Sequence, residues 1–186
     1  MFKNKLFRML QTLSSTEWKA FGKFVDSPFF NNQENCKKMF LHLEKQFVHQ
    51  QWEQLEKEAL IAALLPEQQK PYDYLRVIMS QLTQLLEHFF VMNQLKKAPA
   101  YQAHLLKQNL VERGLFKCVE QVQKQTEKQA EKVVKKGKEF YWTQYVQAAD
   151  KFDFLKIKEA RNISVSTLTN TISALDEFYL VQRLYL

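Results

Sequence analysis

The chain is nearly devoid of helix breakers. Its 186 residues include three glycines and four prolines, while apolar residues return at spacings of three and four along most of the length. Few glycines means few places where the backbone turns left-handed at no cost, and few prolines leaves almost every N–H available to an i to i−4 bond. The pattern predicts an all-α protein. The same scarcity removes the glycine-rich loops on which phosphate and nucleotide sites are usually built.

Hydrophobic residues make up 46% of the chain, too many for a chain that stays disordered for lack of a core. The longest continuous apolar run, Ala59 to Leu65, is about a third of the roughly 20 residues needed to span a membrane. Phe2 to Leu13 is interrupted by Lys3, Lys5, Arg8 and Gln11 and reads as a first helix, not a signal peptide. The two cysteines, Cys36 and Cys118, have no histidine or second thiol at ligand spacing, which points to a reducing cytoplasm and against a metal site. The net charge of +7 comes from 27 basic residues, 22 of them lysine and five arginine. Lysine supplies point charges that keep helices soluble, whereas the forked contacts to phosphate and guanine come from arginine.

Helix ends can be placed from local chemistry. Ser14 and Glu17 have capping-box spacing at the start of a second helix that carries Trp18, Phe21, Phe24 and Val25 on one stripe and stops at Ser27-Pro28. Phe29 and Phe30 follow, and two aromatics in a connection are expected to tuck under the bundle. Asn31 or Asn32 can cap a third helix with Cys36, Phe40, Leu43 and Phe47 inward. A fourth runs from about Trp52 to Leu65, its apolar arc (Leu55, Ala59, Leu60, Ala62, Ala63) wide enough to be touched from two sides. Pro71 suits the first turn of the longest helix, which extends to about Lys97 with Leu75, Ile78, Leu82, Leu85, Phe89 and Met92 aligned. Next come a helix from Ala100 to Arg113 ended by Gly114, a charged helix from Leu115 to Lys136, and a helix after Gly137 that is expected to turn at Asp150 to Phe154. A short helix through Leu155 and Ile157 precedes a last one starting at Ser164 or Ser166 and carrying Leu168, Ile172, Leu175 and Tyr179. The expected organisation is an irregular bundle over residues 1–97, then antiparallel hairpins over 98–186 stacked as an α-solenoid.

Catalytic and metal-binding arrangements are missing from the pattern. There is no His-Glu-x-x-His, no Glu-x-x-His pair of the di-iron bundles, no nucleophile elbow and no P-loop. His42 and His49 lie two helical turns apart, too far to share an ion. His88 and His104 are read as surface or core histidines, so no catalytic residue, metal ligand or cofactor is expected. Lys124, Lys128, Lys132 and Lys136 recur every fourth residue and form a ridge, the weak candidate for an acidic partner or a nucleic-acid backbone. Glu127 and Glu131 dilute its field, and no aromatic is interleaved for base stacking. Residues 159–175 fit a helix-turn-helix poorly, since Asn170 stands where an apolar anchor belongs and no basic residue lies between Val165 and Asp176.

The final helix carries apolar residues on several faces without a capping residue, leaving Val181, Leu184 and Leu186 as an exposed apolar end. That surface predicts self-association, or further helices in a longer protein of which these residues are the front portion. Leu13-Ser14-Ser15-Thr16-Glu17-Trp18 through Ser27-Pro28-Phe29-Phe30-Asn31, together with Leu175-Asp176-Glu177-Phe178-Tyr179 through Arg183-Leu184, resembles an uncharacterised family of bacterial all-helical proteins. The resemblance implies longer chains with tetratricopeptide-like hairpins and brings no catalytic or binding residue. A 34-residue repeat with its tryptophan, glycine and proline landmarks is not found. The expected function is a non-enzymatic scaffold or protein-interaction module, with a nucleic-acid-associated helical protein as the alternative.

Overall fold

The computed structural model describes residues 4–48, 57–66, 68–130, 137–159 and 164–184. Among them are nine helices and no strand, so the protein is all-α. The helices are α1 (Lys5–Leu10), α2 (Ser15–Asp26), α3 (Glu34–Val48), α4 (Lys57–Leu64), α5 (Pro71–Lys96), α6 (Pro99–Glu112), α7 (Phe116–Ala130), α8 (Lys138–Glu159) and α9 (Val165–Leu184). They gather into two compact units, residues 1–94 and 95–186.

In the first unit the α2 cap is the predicted capping box. Glu17 N donates to Ser14 Oγ at 3.3 Å while Ser14 N donates to the Glu17 carboxylate at 2.9 Å. Two orphan donors are satisfied at once, which anchors the helix start. Trp18, Phe21 and Val25 then face inward. Asn4 accepts from Leu6 N and starts α1, shorter than the sequence suggests, with Leu6, Phe7 and Leu10 buried. Leu13 is also buried, beyond the helix end. Pro71 opens α5 as expected, and its stripe buries Leu75, Ile78, Leu82, Leu85 and Phe89, together with Met79 and Leu86. Met92 is half-buried and Val77 exposed.

The core is built around aromatic rings. Trp18 stacks on Phe40 at 5.6 Å between centroids, Phe21 meets Phe40 edge-on at 5.4 Å, and Phe21 and Phe24 both reach Phe89. Gly22 makes this approach of α2 to α3 workable. A Cβ there would lie 3.0 Å from Phe40 Cε1.

Three expectations for this unit fail. Phe29 does not tuck under the bundle; it is 87% exposed, and its neighbour Phe30 stacks on Phe24 at 4.0 Å. The turn is closed from inside by Asn31, whose buried Nδ2 donates to Val25 O at 2.8 Å and whose Oδ1 accepts from Gln33 N at 2.9 Å. Those bonds hold the turn without the help of Phe29. Asn31 is therefore a clasp between α2 and α3, and α3 begins at Glu34, past both asparagines. On α4, Leu60 is buried while Ala59, Ala62 and Ala63 are exposed, so the arc is covered on one side. Trp52 and Leu55, like His49, lie outside the described residues, as does the side chain of Phe47.

The second unit opens with α6 and α7, joined at Gly114 with φ 69°. Gly114 N donates to Val111 O and Leu115 N to Leu110 O, both at 2.9 Å. That pair of bonds is a Schellman ending, and its left-handed residue is why glycine stands there. The expected turn at Asp150 to Phe154 does not exist: α8 runs unbroken from Lys138 to Glu159. The stretch contains no glycine or proline, and Asp150 spends its carboxylate on side chains of α6, not on the local backbone that would turn the chain.

Candidate functional site

Three sets of contacts define the surroundings of α8. Toward α7, Phe116 meets Phe154 at 5.9 Å, Lys158 pairs with Glu120 at 2.5 Å and Lys151 with Glu127 at 3.6 Å. From Glu120–Lys158 to Glu127–Lys151 one residue number rises as the other falls, so α7 and α8 run antiparallel. Toward α9, Trp142 meets Phe178 at 5.1 Å and Thr171 Oγ1 donates to Ala148 O at 3.3 Å. This pair is antiparallel too.

Toward α6, the joint is ionic. The Asp150 carboxylate takes the Lys107 ammonium on Oδ2 and His104 Nδ1, at 2.6 Å, on Oδ1. Lys107 is 6% and Asp150 12% exposed at the side chain, and Tyr101 stacks on the His104 ring. Burying either ion alone would be costly, and together they neutralise each other. His104 and Lys107 stand three apart on one helical face, but their acid lies more than 40 positions downstream. The one available signal is a carboxylate amid the aromatic stretch of α8, which fits a turn equally well. The arrangement fastens two helices.

The surface α9 leaves open is large. Thr167, Thr171, Ala174, Phe178 and Val181 are half-buried on its α8 side. The stripe that pattern reading singles out, Leu168, Ile172, Leu175 and Tyr179, points elsewhere: all four are exposed, and Val165, at 81%, extends them. No side chain of α9 is fully buried. On α8, Trp142 and Ile157 are exposed with Val146 and Ala149 half-buried between them. At about 100° per residue Trp142, Val146 and Ala149 average roughly a quarter turn from Asp150 and Phe154, which face α6 and α7, whereas Ile157 follows Asp150 by seven residues and shares its side. Trp142 is in ring contact with Phe178, next in sequence to Tyr179, and with the exposed α9 stripe makes up a ledge on the α8/α9 hairpin.

Sequence-predicted site residues are only partly represented here. Lys124 and Lys128 are exposed on α7, while Lys132, Lys136 and Leu186 lie outside the described residues. Val181 is half-buried against α8, not exposed, and Leu184 is 85% exposed on a different side of α9 from the ledge. Among the described residues no group of three histidines, cysteines or carboxylates is placed to hold a metal ion, and no helix is long and apolar enough to cross a membrane. Lys158 donates a hydrogen bond to Glu120 and, with its charge, holds that carboxyl below the usual range. Burial pushes the Cys36 thiol up to about 11. No family model, curated protein or solved structure matches the chain.

Proposed function

We propose that the chain is a non-enzymatic helical scaffold or protein-interaction module that docks a protein on the α8/α9 ledge. One observation carries the reading: five apolar residues of α9, from Val165 to Tyr179, face solvent in a continuous stripe. Scattered exposed hydrophobics are ordinary, but a contiguous strip on two adjacent helices is the usual mark of an interaction surface. The stacked-hairpin architecture is supported by α8, which touches α6, α7 and α9. That arrangement lets each hairpin bury one face on its neighbour and offer another to a partner. The ionisable groups brought together, His104, Lys107 and Asp150, are engaged in joining α6 to α8, in keeping with a binding role.

The test is a photo-reactive amino acid at Leu175 in the folded chain, irradiated in native extract. A discrete protein adduct absent from an exposed control position, Tyr72, is the expected result. Adducts no different from the control would sink the reading.

A nucleic-acid role has one observation in its favour. Residues 95–186 hold 16 of the 27 basic and 10 of the 20 acidic side chains, so +6 of the +7 net charge sits in that segment. Part of this charge is paired at Glu120, Glu127 and Asp150. Retention of duplex or single strand at about 50 mM salt, lost steeply as salt rises, would favour this reading over protein docking.

A further inference from the structure

We infer that the occupant of the ledge is a second copy of this chain, the two α8/α9 hairpins meeting face to face about a two-fold axis as a four-helix arrangement. The inference rests on the protein-docking reading and names its partner. Val165, Ile172 and Tyr179 recur every seventh residue, with Leu168 and Leu175 between them. β-branched Val165 and Ile172 at one heptad position, with Tyr179 completing it, and leucine at the other make the kind of seam along which helices pair. The stripe contains no charged residue.

Charge favours a copy of the chain. Trp142 and the five α9 residues are each 43–81% exposed, an apolar strip of the kind that marks an interface. Two chains of charge +7 repel each other in general. Around the ledge, however, exposed Lys138, Lys156 and Arg183 are matched by exposed Glu139, Asp153 and Asp176. Among the described residues the charges around the ledge balance on a cationic molecule, so here two copies can approach without a charge penalty. A two-fold axis then uses the same patch twice, as isologous dimers do.

The experiment is sedimentation equilibrium of the 186-residue chain across roughly 1–100 μM, which resolves micromolar association. The expected result is a mass of twice 22.2 kDa, with I172E weakening association by about a hundredfold or more because a carboxylate would be buried in the seam. Helicity by circular dichroism verifies that I172E is folded, and L168E on the same stripe serves if it is not. K124E, an exposed position on α7, should dimerise as the parent does. A monomer throughout the range overturns the inference, as does a dimer unaffected by both ledge variants. A monomer that still yields a Leu175-dependent adduct with another protein overturns self-pairing and leaves the docking reading standing; a monomer without such an adduct removes both.

Discussion

Two units of nearly equal length, drawn from one pool of residue types, reach opposite solutions to burial. Among the described residues the first unit fully buries twenty hydrophobic side chains in one cluster, while the second fully buries two, Val119 and Phe154. The exposed large hydrophobics divide the other way, seven in residues 1–94 and thirteen in 95–186. The first unit surrounds a centre: α2, α3 and α5 each turn a complete aromatic or aliphatic stripe onto the others. The second unit is assembled pairwise, α6 on α7 and α8 on α9, with α8 also reaching α6 and α7. A centred core closes itself, whereas a row of hairpins always has a last face. The contrast teaches that the open ledge on α8 and α9 follows from the architecture of the second unit and is not a local defect of packing.

The largest effect that could break this comparison is expected at Phe21. It is fully buried and touches Phe40 and Phe89, so Phe21→Ala should cost ~3–5 kcal/mol by chemical denaturation; a loss under ~1 kcal/mol would mean that the first core is loosely packed. Comparable in size is the ionic joint of the second unit. Asp150→Ala strands a buried ammonium and should cost about 3 kcal/mol or more, while the double change Asp150→Leu with Lys107→Met should recover most of it, because removing both ions removes the desolvation cost. If the double variant is as unstable as the single one, the joint is held by shape and not by charge.

Gly22→Ala sets ~1–3 kcal/mol of crowding against Phe40 against a gain in helix propensity of about 1 kcal/mol. A net loss of up to ~2 kcal/mol is expected in thermal denaturation, and a gain would show that the ring can move aside. The two cysteines sharpen the contrast chemically. Cys36 is buried in the first core with its thiol pushed up to about 11, and Cys118 is exposed in the second unit. A thiol reagent at pH 8 should modify Cys118 in the folded protein and reach Cys36 only on unfolding; rapid modification of both would contradict a closed first unit.

The smallest effect is reserved for the surface pair Lys158–Glu120. A carboxyl held below its ordinary range stabilises the fold above the unfolded-state value, and that contribution fades as acid protonates it. Lys158→Gln should therefore leave the melting temperature at neutral pH nearly unchanged and should flatten the shallow loss of stability on acidification, measured by thermal melts between pH 3 and 7.

Much of this fold is legible in residue order. The Ser14–Glu17 box, the stop before Pro28, Pro71 at the head of α5 and the left-handed Gly114 are each dictated by groups within a few positions of one another, so a linear reading finds them. The failures share the opposite character. Asn31 has the chemistry of a cap, and whether it caps or clasps depends on how close the end of α2 comes to it. Asp150 suits a turn until α6 supplies Lys107 and His104. On α9 the periodic stripe is correctly visible, yet periodicity states only that residues share a face.

Residue order alone thus determined the all-helical class, most helix boundaries and the absence of the usual catalytic and phosphate-binding motifs, because backbone hydrogen bonding and capping act over distances of one helical turn. The tertiary structure alone decided which face of each helix is covered, that Lys107 and Asp150 neutralise each other, and that α9 turns Thr171, Ala174 and Phe178 toward α8 while Leu168, Ile172 and Leu175 remain outside. Burial is a property of pairs of helices, fixed by their register and crossing, and a helical stripe carries no mark of which neighbour will meet it.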